Sequence, residues 1–314
     1  LGLAFVSHAV PYFIAAFATG LGTSAVQIIM PYGAHFAPDR ERGHVVGRMT
    51  SGLMIGIMMS RPVASLVSEW FGWHAVFITA AAMMSVIALV LYRVLPPRPA
   101  VNKDLHYFQV LKSLVQIIAK TPVLRRRAFF QGGLFGSFCL FWTASPLLLL
   151  GKDFQFSQTA IALFALVGVS GAVSAPFAGK AADRGHSHLA TAIAMIACMA
   201  SFLLNQIFPP GSVISLVALV VSAILLDAGI TANLVLGQRA IFSLDSSLRS
   251  RLNGLYIAII LIGGASGSAL GAWAYARGGW SLASWAGFAM PALAFLVFLT
   301  EKKPDADRTP APRP

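Results

Sequence analysis

Apolar residues run in long blocks along this chain, separated by short polar or basic stretches. A helix of about 20 residues crosses a hydrocarbon core of about 30 Å, because each residue adds about 1.5 Å. Nine blocks predict nine transmembrane helices: 12–35, 48–69, 74–93, 128–150, 158–179, 188–205, 212–237, 252–276 and 281–300. The runs are too long for barrel strands and lack their alternation of period two. The predicted fold class is an all-α polytopic membrane protein whose partner is the lipid bilayer.

Composition agrees with the pattern: 57% of residues are hydrophobic and 11% are charged. The net charge of +12 would suggest nucleic acid on a soluble protein, but its placement excludes that partner. The loops after the first, third, fifth and seventh blocks, with the tail, hold all Lys and Arg except Arg61, Lys152 and Arg277. This is the positive-inside asymmetry. It predicts a multi-pass protein of the cell inner membrane with a cytoplasmic carboxyl terminus. Cys139 and Cys198 lie inside helices without a C-x-x-C pattern and read as small buried hydrophobes. No Walker motif, HExxH pattern or catalytic triad is present, and the seven His are scattered. No enzyme, metal or cofactor is expected.

A long loop, 95–127, divides the chain. It contains Pro96, Pro97 and Pro99, followed by an amphipathic stretch, Tyr107–Lys120, that predicts a helix at the membrane interface. The two sides of this loop repeat each other. Arg42, Gly47, Gly56, Gly72 and Trp73 recur as Arg249, Gly254, Gly263, Gly279 and Trp280, each pair 207 residues apart. Parallel repeats of this kind belong to transporters. The expected organisation is an N-terminal bundle of three helices (1–94), the linker (95–127), a six-helix bundle (128–300) and a tail (301–314). Blocks four to six have no partner at the repeat offset. Three helices of the first bundle are therefore expected to be absent from this chain.

The repeated signatures resemble the major facilitator superfamily, in its drug:proton antiporter-like branch of twelve helices. Pro38-Asp-Arg-Glu-Arg42-Gly43, then a glycine-rich helix and Gly72-Trp73, resemble the fourth to sixth helices of that family. Gly179-Lys-Ala-Ala-Asp183-Arg184-Gly185 resembles its loop motif, with the second glycine one residue early. Leu236-Gly-Gln-Arg239 and Arg249-Ser-Arg251-Leu-Asn-Gly254 resemble the connection between helices ten and eleven. The resemblance implies helices four to twelve of a parallel repeat of two bundles, the first incomplete.

Candidate chemistry is sparse. A charge inside the hydrocarbon costs at least about 2.5 kcal/mol on the insertion scale, so it tends to face a cavity or a partner. Two charged residues lie well inside predicted helices, Asp227 and Arg61. Asp227 reads as a protonatable coupling group or a ligand for a cationic substrate. Arg61 reads as its counter-ion or as an anchor for an anionic substrate. The alternative is a structural ion pair between two helices. Asn233, Gln27, Gln131 and Trp142 are further cavity candidates, or equally interhelical hydrogen-bonding groups. The resemblance implies a conformational latch formed by Gly179, Asp183, Arg184, Arg42, Arg249 and Arg251. In it, Asp183 is expected to pair with a basic residue and to cap the following helix. Gly52 with Gly56, and Gly263 with Gly267 and Gly271, have the four-residue spacing of close helix packing.

The function expected is secondary active transport of a small organic solute: proton-coupled efflux by alternating access, with protons and the solute as partners. The alternative is a non-transporting remnant, or a membrane scaffold or binding subunit.

Overall fold

The structure is a computed structural model that describes residues 2–6, 8–23, 29, 42–95, 107–244 and 248–301. All nine expected spans are helical over their described parts. The helices are α1 (Gly2–Phe5), α2 (Ala9–Thr23), α3 (Arg42–Phe71), α4 (Trp73–Val94), α5 (Tyr107–Lys120), α6 (Pro122–Leu150), α7 (Gln158–Ala165), α8 (Gly171–Asp183), α9 (Ser187–Leu204), α10 (Val213–Phe242) and α11 (Arg249–Leu299). A 3₁₀ turn, Leu166–Ser170, joins α7 to α8 within one span. α11 contains two predicted spans, broken by non-helical backbone at Gly278 and Gly279.

Local chemistry sets several boundaries. Ser157 accepts from the Ala160 N–H and caps α7, and Ser212 accepts from the Ser215 N–H and caps α10. Pro122 opens α6, where its missing N–H costs nothing. Gly72 and Gly279 both adopt positive φ, 80° and 62°, immediately before a tryptophan. An L residue there would place its Cβ against the following carbonyl oxygen. The repeat at Arg42 and Arg249 has the same local form: each arginine begins a helix, and each glycine ends a helical arm.

The residues fall into two compact units. One contains residues 1–101 and 156–166; the other contains 102–155 and 167–314. In the first, the Thr159 hydroxyl of α7 donates to the Glu69 carboxylate of α3. Among the described residues nothing lies within 4 Å of a Cβ placed at Gly52 or Gly56.

The second unit has a filled interior. α6 and α11 meet backbone to backbone: a Cβ on Gly263 would lie 2.7 Å from the carbonyl carbon of Gly132, and one on Gly271 would lie 3.0 Å from Cα of Leu140. The glycine spacing of this helix therefore does mark a contact face. Phe141 anchors the interior through edge contacts with Trp142, Phe202 and Trp280. Outward positions such as Leu261, Ile262, Trp273, Leu293 and Leu296 are exposed and apolar, which suits lipid rather than water. The predicted linker helix, α5, belongs to this unit. Leu114, Ile117 and Ile118 pack on Leu124, Ala128, Ile241, Leu252 and Tyr256, while Val115 points away.

Candidate functional site

Asp227 is the fifteenth residue of a thirty-residue helix, α10. Its burial is nearly complete, with 5% exposed. Three elements enclose it. From α6, the Trp142 indole N–H donates to Asp227 Oδ1 at 3.2 Å. From the 3₁₀ turn, the Gly168 backbone comes so close that a Cβ there would lie 2.8 Å from Oδ2. From α8, a Cβ on Gly171 would lie 2.9 Å from Cβ of Asp227. The two glycines let a helix break pack directly on a carboxylate. A 3₁₀ segment inside a span has weaker backbone hydrogen bonding than an α-helix and is often a hinge.

A second polar contact between α6 and α10 lies closer to the start of α6. Gln131 donates through Nε2 to the Ile230 carbonyl at 3.3 Å, and Asn233 donates through Nδ2 to Gln131 Oε1 at 2.7 Å. Gln131 and Trp142 are eleven residues apart, three helical turns, so they share one face of α6. Both side chains of the amide pair are buried. Ser174 of α8 adds a hydrogen bond to the Ala228 carbonyl at 2.9 Å.

Four of the six expected cavity residues thus meet in two pairs, Asp227 with Trp142 and Gln131 with Asn233. Gln27 and the Arg61 side chain lie outside the described residues. The sequence singled out neither Gly168 nor Gly171, because a glycine says nothing of which carboxylate faces it. Their one signal is spacing: two glycines three residues apart near the middle of an apolar span.

The loop motif is resolved at one end of the same unit. Asp183 pairs with Arg239 of α10, joining the ends of α8 and α10. Asp183 is the last residue of α8, and the next helix is preceded by His186 with no side-chain cap. The expected capping role is therefore corrected: a residue still inside one helix cannot reach back to cap the next. Gly185 has φ 78° and closes α8. Its N–H bonds to the Ala182 carbonyl and the His186 N–H to the Ala181 carbonyl, the paired bonds of a Schellman end. The glycine that stands one residue early is thus placed by the helix stop. Gly179 has open space at its Cβ position, and Arg184 and Arg251 are exposed. The side chains of Arg42 and Arg249 lie outside the described residues. At the same end Arg127 donates to Glu301 at 3.2 Å and to Thr191 at 3.1 Å, tying α6 to α9 and to the second residue after α11.

Comparison with known proteins gives this arrangement a family. The profile of the Major Facilitator Superfamily matches residues 1–241 and 145–314. An Escherichia coli O157:H7 protein with the name "Uncharacterized transporter YgaY" is 34% identical over 280 residues, 89% of this chain and 70% of the relative. A Streptomyces coelicolor protein with the name "Probable transporter SCO4007" is 29% identical over 259 residues, 82% of this chain and 59% of the relative. A Helicobacter pylori G27 protein with the name "Probable sugar efflux transporter" is 22% identical over 171 residues, 52% of this chain and 40% of the relative. The helices, their repeat and the profile match agree: this multi-pass membrane chain belongs to the Major Facilitator Superfamily, a family of transporters and not of enzymes.

Proposed function

We propose that the chain moves a small organic solute by alternating access, in a proton-coupled efflux mode like that of the drug:proton antiporter branch. The observation that carries this reading is a carboxylate buried midway along a membrane-spanning helix, with an indole donor on one side and a helix break on the other. An ionised Asp227 draws the Trp142 N–H toward it. A protonated Asp227 has no charge to hold that donor, and the 3₁₀ turn packed on it can relax. Protonation then selects between two packings of the same helices, which is what a coupled carrier requires. Arg61, Gln27, Gln131 and Asn233 are assigned to the solute path. The contact of Asp183 with Arg239 belongs to the latch, together with Gly179, Arg184, Arg42, Arg249 and Arg251. The basic loops support a cytoplasmic carboxyl tail and a location in the inner membrane. The name of the Helicobacter pylori relative makes sugars the first solutes to try.

The test is flux of a radiolabelled sugar panel in proteoliposomes under an imposed pH gradient, compared with solute exchange at equal pH. Asp227→Asn is expected to abolish the gradient-driven flux and to retain exchange. Gradient-driven flux at the unmodified rate in a folded Asp227→Asn chain refutes the assignment.

A further inference from the structure

The span Gln158–Asp183 is shared between the two units. The chain leaves the first unit after residue 166 and belongs to the second from residue 167, inside the 3₁₀ turn Leu166–Ser170. The two arms of the span have different partners. The first arm, α7, packs along α3 and buries Ile161, Phe164 and Ala165. Its Thr159 hydroxyl is the group that donates to Glu69 of α3. The second arm, α8, packs on α10 and α9, and holds α10 through Ser174 and the Ala228 carbonyl. Hydrogen bonds in a 3₁₀ turn are poorer than those of the α-helices on either side. The turn is therefore where this span bends at least cost.

The turn carries a second mark. Ser170 Oγ is buried and has no hydrogen-bond partner. Ser170 stands at the N-cap position of α8, yet its backbone is helical, with φ −59° and ψ −27°, and its side chain makes no cap. A capping serine has extended backbone, which lets its oxygen reach an N–H two or three residues on. Ser157 and Ser212 do this with ψ 163° and 153°. Extending the backbone at Ser170 supplies the missing cap and bends the span at the same point. Close against the Gly168 and Gly171 backbones of this segment lies Asp227, which accepts from Trp142. Its titratable neighbour from α9 is Cys198.

We propose that Leu166–Ser170 is a hinge, set by the charge of Asp227, that moves α7 and α3 together. The inference rests on the reading of Asp227 as the coupling group. With Asp227 ionised, the carboxylate is held by the Trp142 indole and the turn stays packed on it in helical form. With Asp227 protonated, no charge holds the indole and the turn is released. Ser170 then extends and caps α8, and α7 turns about Gly168 with α3 attached through Thr159 and its apolar face. Two alternative stops, a seated carboxylate and a helix cap, make the turn a two-state element rather than a loose joint.

Paired spin labels on the chain in lipid nanodiscs, with both native cysteines replaced, read the angle at the turn. Leu163 of α7 is exposed, as are Ile55 of α3, Val217 of α10 and Leu203 of α9. Leu163 lies five residues, about 7.5 Å, from Gly168, so a bend of about 20° moves it by about 2.5 Å. From high to low pH, the distance from Leu163 to Val217 or to Leu203 is expected to shift by about that amount. The Leu163–Ile55 distance is expected to stay fixed. The infrared band of the protonated Asp227 carboxyl is expected to rise over the same range. That band is identified by its loss in Asp227→Asn, or in Asp227→Ser should the amide not fold. The neutral variant is expected to show the acid distances at every pH. Ser170→Ala is expected to lower the ratio of bent to unbent chains about fivefold, the worth of one cap. A change in Leu163–Ile55 while Leu163–Val217 and Leu163–Leu203 stay fixed shows the span moving as one body. That result, or fixed distances throughout while the band rises, overturns the hinge and leaves the reading of Asp227 intact. A shift that persists in the neutral variant, or a ratio unchanged in Ser170→Ala, overturns it too. A band that never responds to pH overturns both.

Discussion

Replacing Gly267 by alanine tests the closest helix approach in the C-terminal unit. The new Cβ would fall on the carbonyl oxygen of Gly136 and lie 2.5 and 2.6 Å from its carbonyl carbon and Cα. Ordinary carbon contacts lie at about 3.5–4.0 Å, so the two backbones must separate by about 1 Å. They cannot do so at one point alone. Gly263 and Gly271 hold the same face of α11 against Gly132 and Leu140, and all three contacts open together. Overpacking a filled core costs about 1–3 kcal/mol, and the upper end applies where backbone faces backbone. Replacing a mid-helix glycine by alanine returns about 0.5–1 kcal/mol, which leaves a net loss of about 2 kcal/mol. Gly254→Ala is the control, since it lies in the same helix with nothing among the described residues within 4 Å of its Cβ position. It is expected to show the propensity gain alone. Thermal unfolding of the purified protein in detergent, followed by size-exclusion chromatography, compares the two. If Gly267→Ala survives to the temperature of Gly254→Ala or beyond, the inferred backbone contact is wrong.

Two further outcomes follow from the ends of the helices. At Gly185, with φ 78°, alanine is expected to cost about 1–2 kcal/mol because its Cβ meets the following carbonyl, whereas asparagine tolerates that conformation better. Equal unfolding temperatures for Gly185→Ala and Gly185→Asn would count against a helix stop set by backbone conformation. In a chain without its native cysteines, Pro210→Cys is expected to react with an impermeant maleimide in intact cells and Asp305→Cys to react only after lysis. Labelling of the tail in intact cells would reverse the orientation.

Spans, basic loops and the repeat could be read along the chain because each is a one-dimensional quantity. A run of apolar residues is long enough to cross a bilayer whatever its neighbours, and a basic loop resists translocation by its own charge. The amphipathic period of Tyr107–Lys120 likewise showed a helix with one apolar face, though not that this face would close over Leu252 and Tyr256. Pairing was different. The charge of Asp227 marked it as expensive in hydrocarbon, but Arg61 was the only intramembrane partner that charge alone could suggest. Among the described residues, which exclude the Arg61 side chain, Asp227 accepts from an uncharged indole of α6, and the two meet because α6 and α10 run antiparallel at a fixed register. The spacing of Gly263, Gly267 and Gly271 became a contact face only because α6 arrives against it, since what a glycine admits depends on the helix that meets it. Depth in the membrane is a sum over neighbours in sequence; a hydrogen bond is decided by neighbours in space, and those are set only when the helices cross.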